Sequence, residues 1–89
     1  MGNQVINEPH YYAWIKTGCP YCTKARDEFI TQKVSHTLMV MDDHLERLDE
    51  MKQKFNWKTV PLIIKSDADG TNQLIGGYTD LVRHFNEGE

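Results

Sequence analysis

The sequence predicts a small α/β sandwich of four strands and three helices in the order β-α-β-α-β-β-α. Two observations predict it: the apolar residues switch repeatedly between strand-like and helix-like periods, and a Cys-x-x-Cys pair stands where the first strand gives way to the first helix. A length of 89 residues adds that there is one core, since two domains would not fit. The expected boundaries are an N-terminal extension over residues 1–9 and a single domain over residues 10–89.

The first strand is read in Tyr11 to Ile15, an aromatic and β-branched run suited to burial on both faces. From Pro20 the period changes. Cys22, Ala25, Phe29 and Ile30 recur at helical spacing, and Pro20 suits a first helical turn, where no backbone donor is missed. Leu38 to Met41 reads as a second buried strand, with Asp42-Asp43 placed to cap the next helix. That helix carries Leu45, Leu48, Met51 and Phe55 as one stripe. Strand, helix, strand in this order argues for a right-handed crossover and parallel pairing.

Leu62-Ile63-Ile64, a polar turn containing Asp69-Gly70, and Gln73-Leu74-Ile75 form the pattern of an antiparallel hairpin. Gly76-Gly77 stops it. A short last helix follows, opened by Thr79 or Asp80 and packed through Leu81, Val82 and Phe85. The sheet is therefore mixed.

Composition excludes several classes. The hydrophobic fraction is 39%, the charged fraction 26% and the formal net charge −3, which is ordinary for a globular protein. Lys and Arg are scattered and outnumbered by Asp and Glu, so nucleic acid is not an expected partner. No apolar run approaches the roughly 20 residues that span a bilayer, and the opening MGNQVINEP lacks a secretory signal, so the expectation is a cytoplasmic protein with no membrane partner. Met1-Gly2 does not complete a myristoylation motif, because Ile6 stands where Ser or Thr is needed.

Cys19 and Cys22 are the only cysteines. In a β-α context, Cys19-Pro20-Tyr21-Cys22 puts the first sulfur at the helix entrance and the second one turn inside. The thiolate is the form that attacks disulfides, and unpaired N–H groups and the macrodipole at a helix start favour negative charge. Cys19 is thus the expected nucleophile. Cys22, more buried, suits a resolving thiol. A structural staple competes weakly, because so short a loop constrains the unfolded chain little. Half a zinc site would need two further ligands, yet no second Cys pair exists and His10, His36, His44 and His84 are dispersed. An Asp67-x-Asp69 calcium loop lacks the Glu that closes it.

Over roughly residues 10–87 the chain resembles the dithiol glutaredoxins of the thioredoxin-like superfamily. Cys19-Pro20-Tyr21-Cys22 is the tetrapeptide typical of that class. Thr59-Val60-Pro61 matches the family's loop with a cis peptide before proline, and Gly76-Gly77-Tyr78-Thr79-Asp80 matches the loop that holds the γ-glutamyl end of glutathione. The resemblance implies a thioredoxin-like fold and glutathione-dependent reduction of protein disulfides and glutathione mixed disulfides. It implies glutathione as reducing co-substrate with no tightly bound cofactor, catalytic Cys19 and Cys22, and a glutathione site of Lys16, Tyr21, Thr59, Val60, Pro61, Gly77, Tyr78, Thr79 and Asp80. No metal-binding residues are implied.

Further expectations are a monomer acting on disulfide-containing or glutathionylated proteins, with ribonucleotide reductase as the family-level substrate. Trp57 and Lys58, just before Thr59-Val60-Pro61, are placed where they could contact substrates; packing is favoured for Trp57, and Lys58 is left open. Two other functions stay in view: an electron carrier reduced by thioredoxin reductase, and a module binding an iron–sulfur cluster through Cys19 and glutathione. Lys16, Thr79 and Asp80 argue against the first, and the stiff Pro20 ring beside Cys19 argues against the second.

Overall fold

Strand β1 (His10–Ile15) forms from the aromatic run, in a computed structural model that describes residues 8–87. Of the expected extension, residues 1–7 lie outside the described residues, as do residues 88 and 89. Along β1, Tyr11 and Ala13 are buried while Tyr12 and Trp14 are only half-buried, which corrects the expectation of a strand sealed on both faces. Alternate residues meet different cover, because successive side chains point to opposite sides.

Helix α1 (Pro20–Gln32) buries Cys22, Ala25 and Phe29. Ile30, read as part of the same stripe, is 58% exposed. One residue beyond Phe29 turns about 100° around the axis, enough to carry it off the core face. The helix stops where Lys33 turns left-handed at φ 57° and its amide returns to the Ile30 carbonyl.

Strand β2 (Ser35–Val40) begins earlier than expected and runs parallel to β1, with Leu38 opposite Ala13. The expected parallel pairing is thereby met. Burial of this strand is corrected: it is an edge of the sheet, whose order is β2-β1-β3-β4, and Val40 is largely exposed. Helix α2 (Leu45–Phe55) starts after His44, which makes no side-chain capping bond. Asp42 instead accepts the Thr17 amide at 2.9 Å, tying the end of β2 to the loop before Cys19. Leu48 is buried and Leu45 is half exposed, so the apolar stripe of α2 is narrower than its sequence spacing implied.

Strands β3 (Leu62–Ser66) and β4 (Asn72–Gly76) form the expected antiparallel hairpin, and β3 also pairs antiparallel with β1. Gly70 takes φ +91° in the turn, a conformation costly for a residue with a Cβ, and Asp69 holds the turn by accepting the Thr71 amide. Helix α3 (Tyr78–Glu87) starts one residue before Thr79, with the Gly77 carbonyl accepting the first helical bond from Leu81. Neither Thr79 nor Asp80 precedes the helix. Asp80 works from inside the first turn, where its Oδ2 accepts the Gly77 amide at 3.0 Å, the reciprocal half of a capping box.

The main core lies between the sheet and helices α1 and α3, and contains Tyr11, Ala13, Ala25, Phe29, Ile63 and Leu81. Leu62 and Ile64, alternating with Ile63, point to the opposite face, where α2 begins beside Trp14 and Met39. Phe29 is fully buried, so Phe29→Ala is expected to destabilise the fold by about 3–5 kcal/mol in denaturant titration.

The Tyr11 hydroxyl meets His84 Nε2 at 3.0 Å, joining β1 to α3. Burial first, then the nearby Lys65 charge, holds the His84 imidazole below its ordinary pKa, against the opposing pull of Asp67. The fold thus favours neutral His84, and that stabilisation is present above the unfolded value near 6.5 and lost as pH falls. The urea midpoint is expected to drop between about pH 7 and 5, and to drop less in His84→Gln.

Candidate active site

Gly18, at φ +78°, swings the chain out of the loop after β1 and delivers Cys19 to the N-cap of α1. Cys19 has extended geometry, φ −98° and ψ 110°, which turns its side chain back over the first helical turn. There the sulfur accepts the Cys22 backbone amide at 3.2 Å. Its thiol also faces the Val60 carbonyl at 3.9 Å. A sulfur in the N-cap position thereby takes the place that a Ser or Asp oxygen fills in most helices.

Cys22, one turn on, is only 3% exposed, whereas Cys19 is partly open to solvent; both are free thiols. Burial, and next the hydrogen bond shared with the Cys19 sulfur, push the Cys22 thiol up to about 12, against the Lys16 backbone, which favours the anion. The two sulfurs are therefore unlike. One is accessible with a backbone donor aimed at it, and the other is buried and held protonated.

Beside Cys19 runs a groove of about 350 Å³ lined by Tyr21, Trp57, Thr59, Val60, Pro61 and the Gly77–Asp80 segment. Three distant stretches of sequence meet in it, and they include every expected glutathione residue except Lys16. The Val60-Pro61 peptide is cis. Lys16 is exposed and lies off this lining; its backbone touches Cys22, and its charge adds to the Thr17 hydrogen bonds that hold the Asp42 carboxyl low. A larger cleft of about 450 Å³ is bounded by Trp14, Met39, Met41, His44 and Arg47. Neither lining includes a cysteine, but the smaller one contains Val60, whose carbonyl faces the Cys19 thiol, so the chemistry belongs to it.

Two wall features go beyond the expected glutathione residues. Trp57, for which packing is favoured over substrate contact, lines the groove. Lys24 places its ammonium 5.3 Å from the Tyr21 ring centroid and 5.9 Å from that of Tyr78, whose rings are themselves 6.2 Å apart. The i,i+3 spacing of Tyr21 and Lys24 on α1 was the available signal for half of this cluster. Lys58 borders an adjoining shallow pocket with Trp57 and Thr59. Among the described residues no group of three or more His, Cys, Asp or Glu is placed to hold a metal, and no helix is long and apolar enough to cross a membrane.

This is a thioredoxin-like fold, and a reduced Cys-x-x-Cys pair at the start of its first helix is the apparatus of thiol–disulfide exchange. The glutaredoxin family model matches residues 11–68, well over half the chain. The chain belongs to the glutaredoxin family, and thiol–disulfide oxidoreductase activity follows from that membership at the level of class.

Glutaredoxin 1 from Francisella tularensis, crystallised with cacodylate, shares 28% identity over 89% of this chain and 94% of its own, with a TM-score of 0.70. The dithiolic glutaredoxin of Trypanosoma brucei brucei shares 28% identity over 92% of this chain and 80% of its own, with a TM-score of 0.66. Wheat glutaredoxin, at 20% identity over 88% of this chain and 72% of its own, has a TM-score of 0.73 and speaks for the fold alone. No curated protein sequence matches the chain.

The unequal sulfurs give a direct test. Brief iodoacetamide treatment of the reduced protein near pH 8 is expected to leave one adduct, on Cys19, with Cys22 unmodified until the fold is opened or the pH nears about 12. Mass spectrometry of the digested protein reads the result.

Proposed function

We propose that the protein catalyses glutathione-dependent reduction of protein disulfides and of glutathione mixed disulfides. The observation that carries this reading is a peptide-sized groove opening beside one accessible sulfur, with a second, protonated sulfur a helical turn behind it.

In the two-thiol route, the Cys19 thiolate attacks a substrate disulfide, forming a mixed disulfide and releasing one substrate thiolate, which takes up a proton. Cys22 then loses its proton and attacks Cys19, forming the Cys19–Cys22 disulfide and releasing the second substrate thiol. Two electrons have passed to the substrate. Two glutathiones restore the enzyme in successive exchanges, and glutathione disulfide leaves. In the one-thiol route, Cys19 attacks the glutathione sulfur of a glutathionylated protein, the protein thiol departs, and a second glutathione frees Cys19. An NADPH-dependent reductase returns glutathione disulfide to the thiol.

Glutathione recognition draws on groups already placed. Val60 offers its backbone to the cysteinyl portion, and Thr59, Pro61 and Tyr21 frame it. At the far end, the first amides of α3 in Tyr78 and Thr79 are unpaired helix donors suited to a carboxylate. Asp80 accepts from Gly77 and lies 3.5 Å from Arg83, yet a carboxylate accepts about four hydrogen bonds, so it can also receive the γ-glutamyl ammonium. Lys16, exposed and off the lining, carries a charge suited to the glycine carboxylate. The need for a reducing glutathione pool supports a cytoplasmic setting, in which the protein would act as a monomer on glutathionylated or disulfide-bonded proteins such as ribonucleotide reductase.

The roles separate by mutation. Cys19→Ser is expected to abolish both activities, whereas Cys22→Ser should lose reduction of protein dithiol pairs and keep deglutathionylation of a glutathionylated peptide. Equal loss in the two variants, in an assay coupled to NADPH consumption, would refute the assignment.

A further inference from the structure

Helix α2 ends by a two-bond reversal: Asn56 turns left-handed at φ 56°, and the amides of Asn56 and Trp57 bond to the Gln53 and Lys52 carbonyls at 3.2 and 2.7 Å. The backbone of Trp57 is thereby fixed, and its indole is set along the groove. A Cβ built on Gly77 would lie 3.6 Å from Trp57 Cζ2, so the six-membered ring rests against the loop that opens α3. The nitrogen on that same edge is unsatisfied. Among the described residues, Trp57 Nε1 is the one buried side-chain nitrogen or oxygen without a hydrogen-bond partner. Native folds leave few such donors, because water is lost and nothing replaces it.

We infer that Trp57 determines ligand specificity in this groove, its indole N–H donating to a carbonyl or carboxylate oxygen of the peptide bound there. The inference rests on the glutathione reading given above. An indole nitrogen donates and never accepts, so the matching ligand atom must be an acceptor, and glutathione carries two peptide carbonyls and two carboxylates. Since Nε1 holds no bond in the free protein, turning the ring toward an arriving oxygen breaks no hydrogen bond. A ligand that supplies the oxygen removes an existing penalty as well as making a contact. A disulfide without peptide oxygens offers no such gain.

The test uses the full chain carrying Cys22→Ser, labelled with nitrogen-15 and converted to its glutathione mixed disulfide at Cys19. The chain has two tryptophans, and Trp57→Phe assigns their indole signals by deletion. On forming the mixed disulfide, the Trp57 indole proton is expected to move downfield and exchange more slowly with solvent, while that of Trp14 stays in place. In parallel, Trp57→Phe, which keeps an aromatic ring and removes the donor, should raise KM for a glutathionylated peptide about fivefold, with a much smaller change in kcat. KM for a cysteamine mixed disulfide should not follow.

A mixed disulfide that forms with the Trp57 signal unmoved overturns the inference and leaves the glutathione reading standing. Equal KM changes for the two substrates also overturn it, since the indole would then act only as filler. Failure of Cys19 to form the adduct removes the glutathione reading itself, and the inference with it.

Discussion

The bond from the Cys22 amide to the Cys19 sulfur is the interaction around which the site is arranged. For it to form, Cys19 must leave helical geometry while Cys22 adopts it, and the left-handed Gly18 supplies the change of direction just before. One backbone event then fixes both thiols. The first is thrown outward toward Val60, and the second is drawn inward among the residues under α1. Neither a charged side chain nor a metal is needed to make two chemically identical groups behave differently. Position on the helix suffices, because amides at its start are unpaired and the next turn is covered by the sheet.

Around that point the groove is assembled from three element ends: the start of α1, the loop between α2 and β3, and the start of α3. Chain ends of helices carry free backbone polar groups, so this corner offers a peptide donors and acceptors that a helix flank lacks. Lys24 adds a bridge across the mouth, its ammonium shared by a tyrosine from α1 and one from α3. An exposed cation–π contact of this kind contributes about 0.5–1 kcal/mol, too little to hold the helices together but enough to bias two tyrosine rings toward one arrangement.

Much of this was legible in the amino-acid order. Periodicity located every element, and the tetrapeptide Cys19 to Cys22 identified the chemistry because a helix boundary falls within it. Three short motifs named eight of the groove's lining residues. Errors cluster where a residue's fate depends on neighbours far along the chain. Leu38 to Met41 is as apolar as a central strand, yet nothing local records that β2 has a partner on one side only. Asp42 has the composition of a cap and instead binds the loop at Thr17. Ile30 is as hydrophobic as Phe29 but sits on the wrong side of the axis. Trp57 was read from its bulk, and the fate of its nitrogen depended on which groups the fold brought near it.

The turn before α3 carries one more implication. Asp80 fits beneath Gly76 only because that glycine has no side chain: a Cβ there would come within 2.8 Å of Asp80 Cγ, at a backbone φ of +119° that disfavours any other residue. Asp80 lines the groove and Gly76 behind it makes the room it needs, so the usual freedom to alter binding without touching architecture is missing at this corner. Descendants of this sequence can vary their substrates along the aromatic walls, but the glycine and the acid must be inherited together.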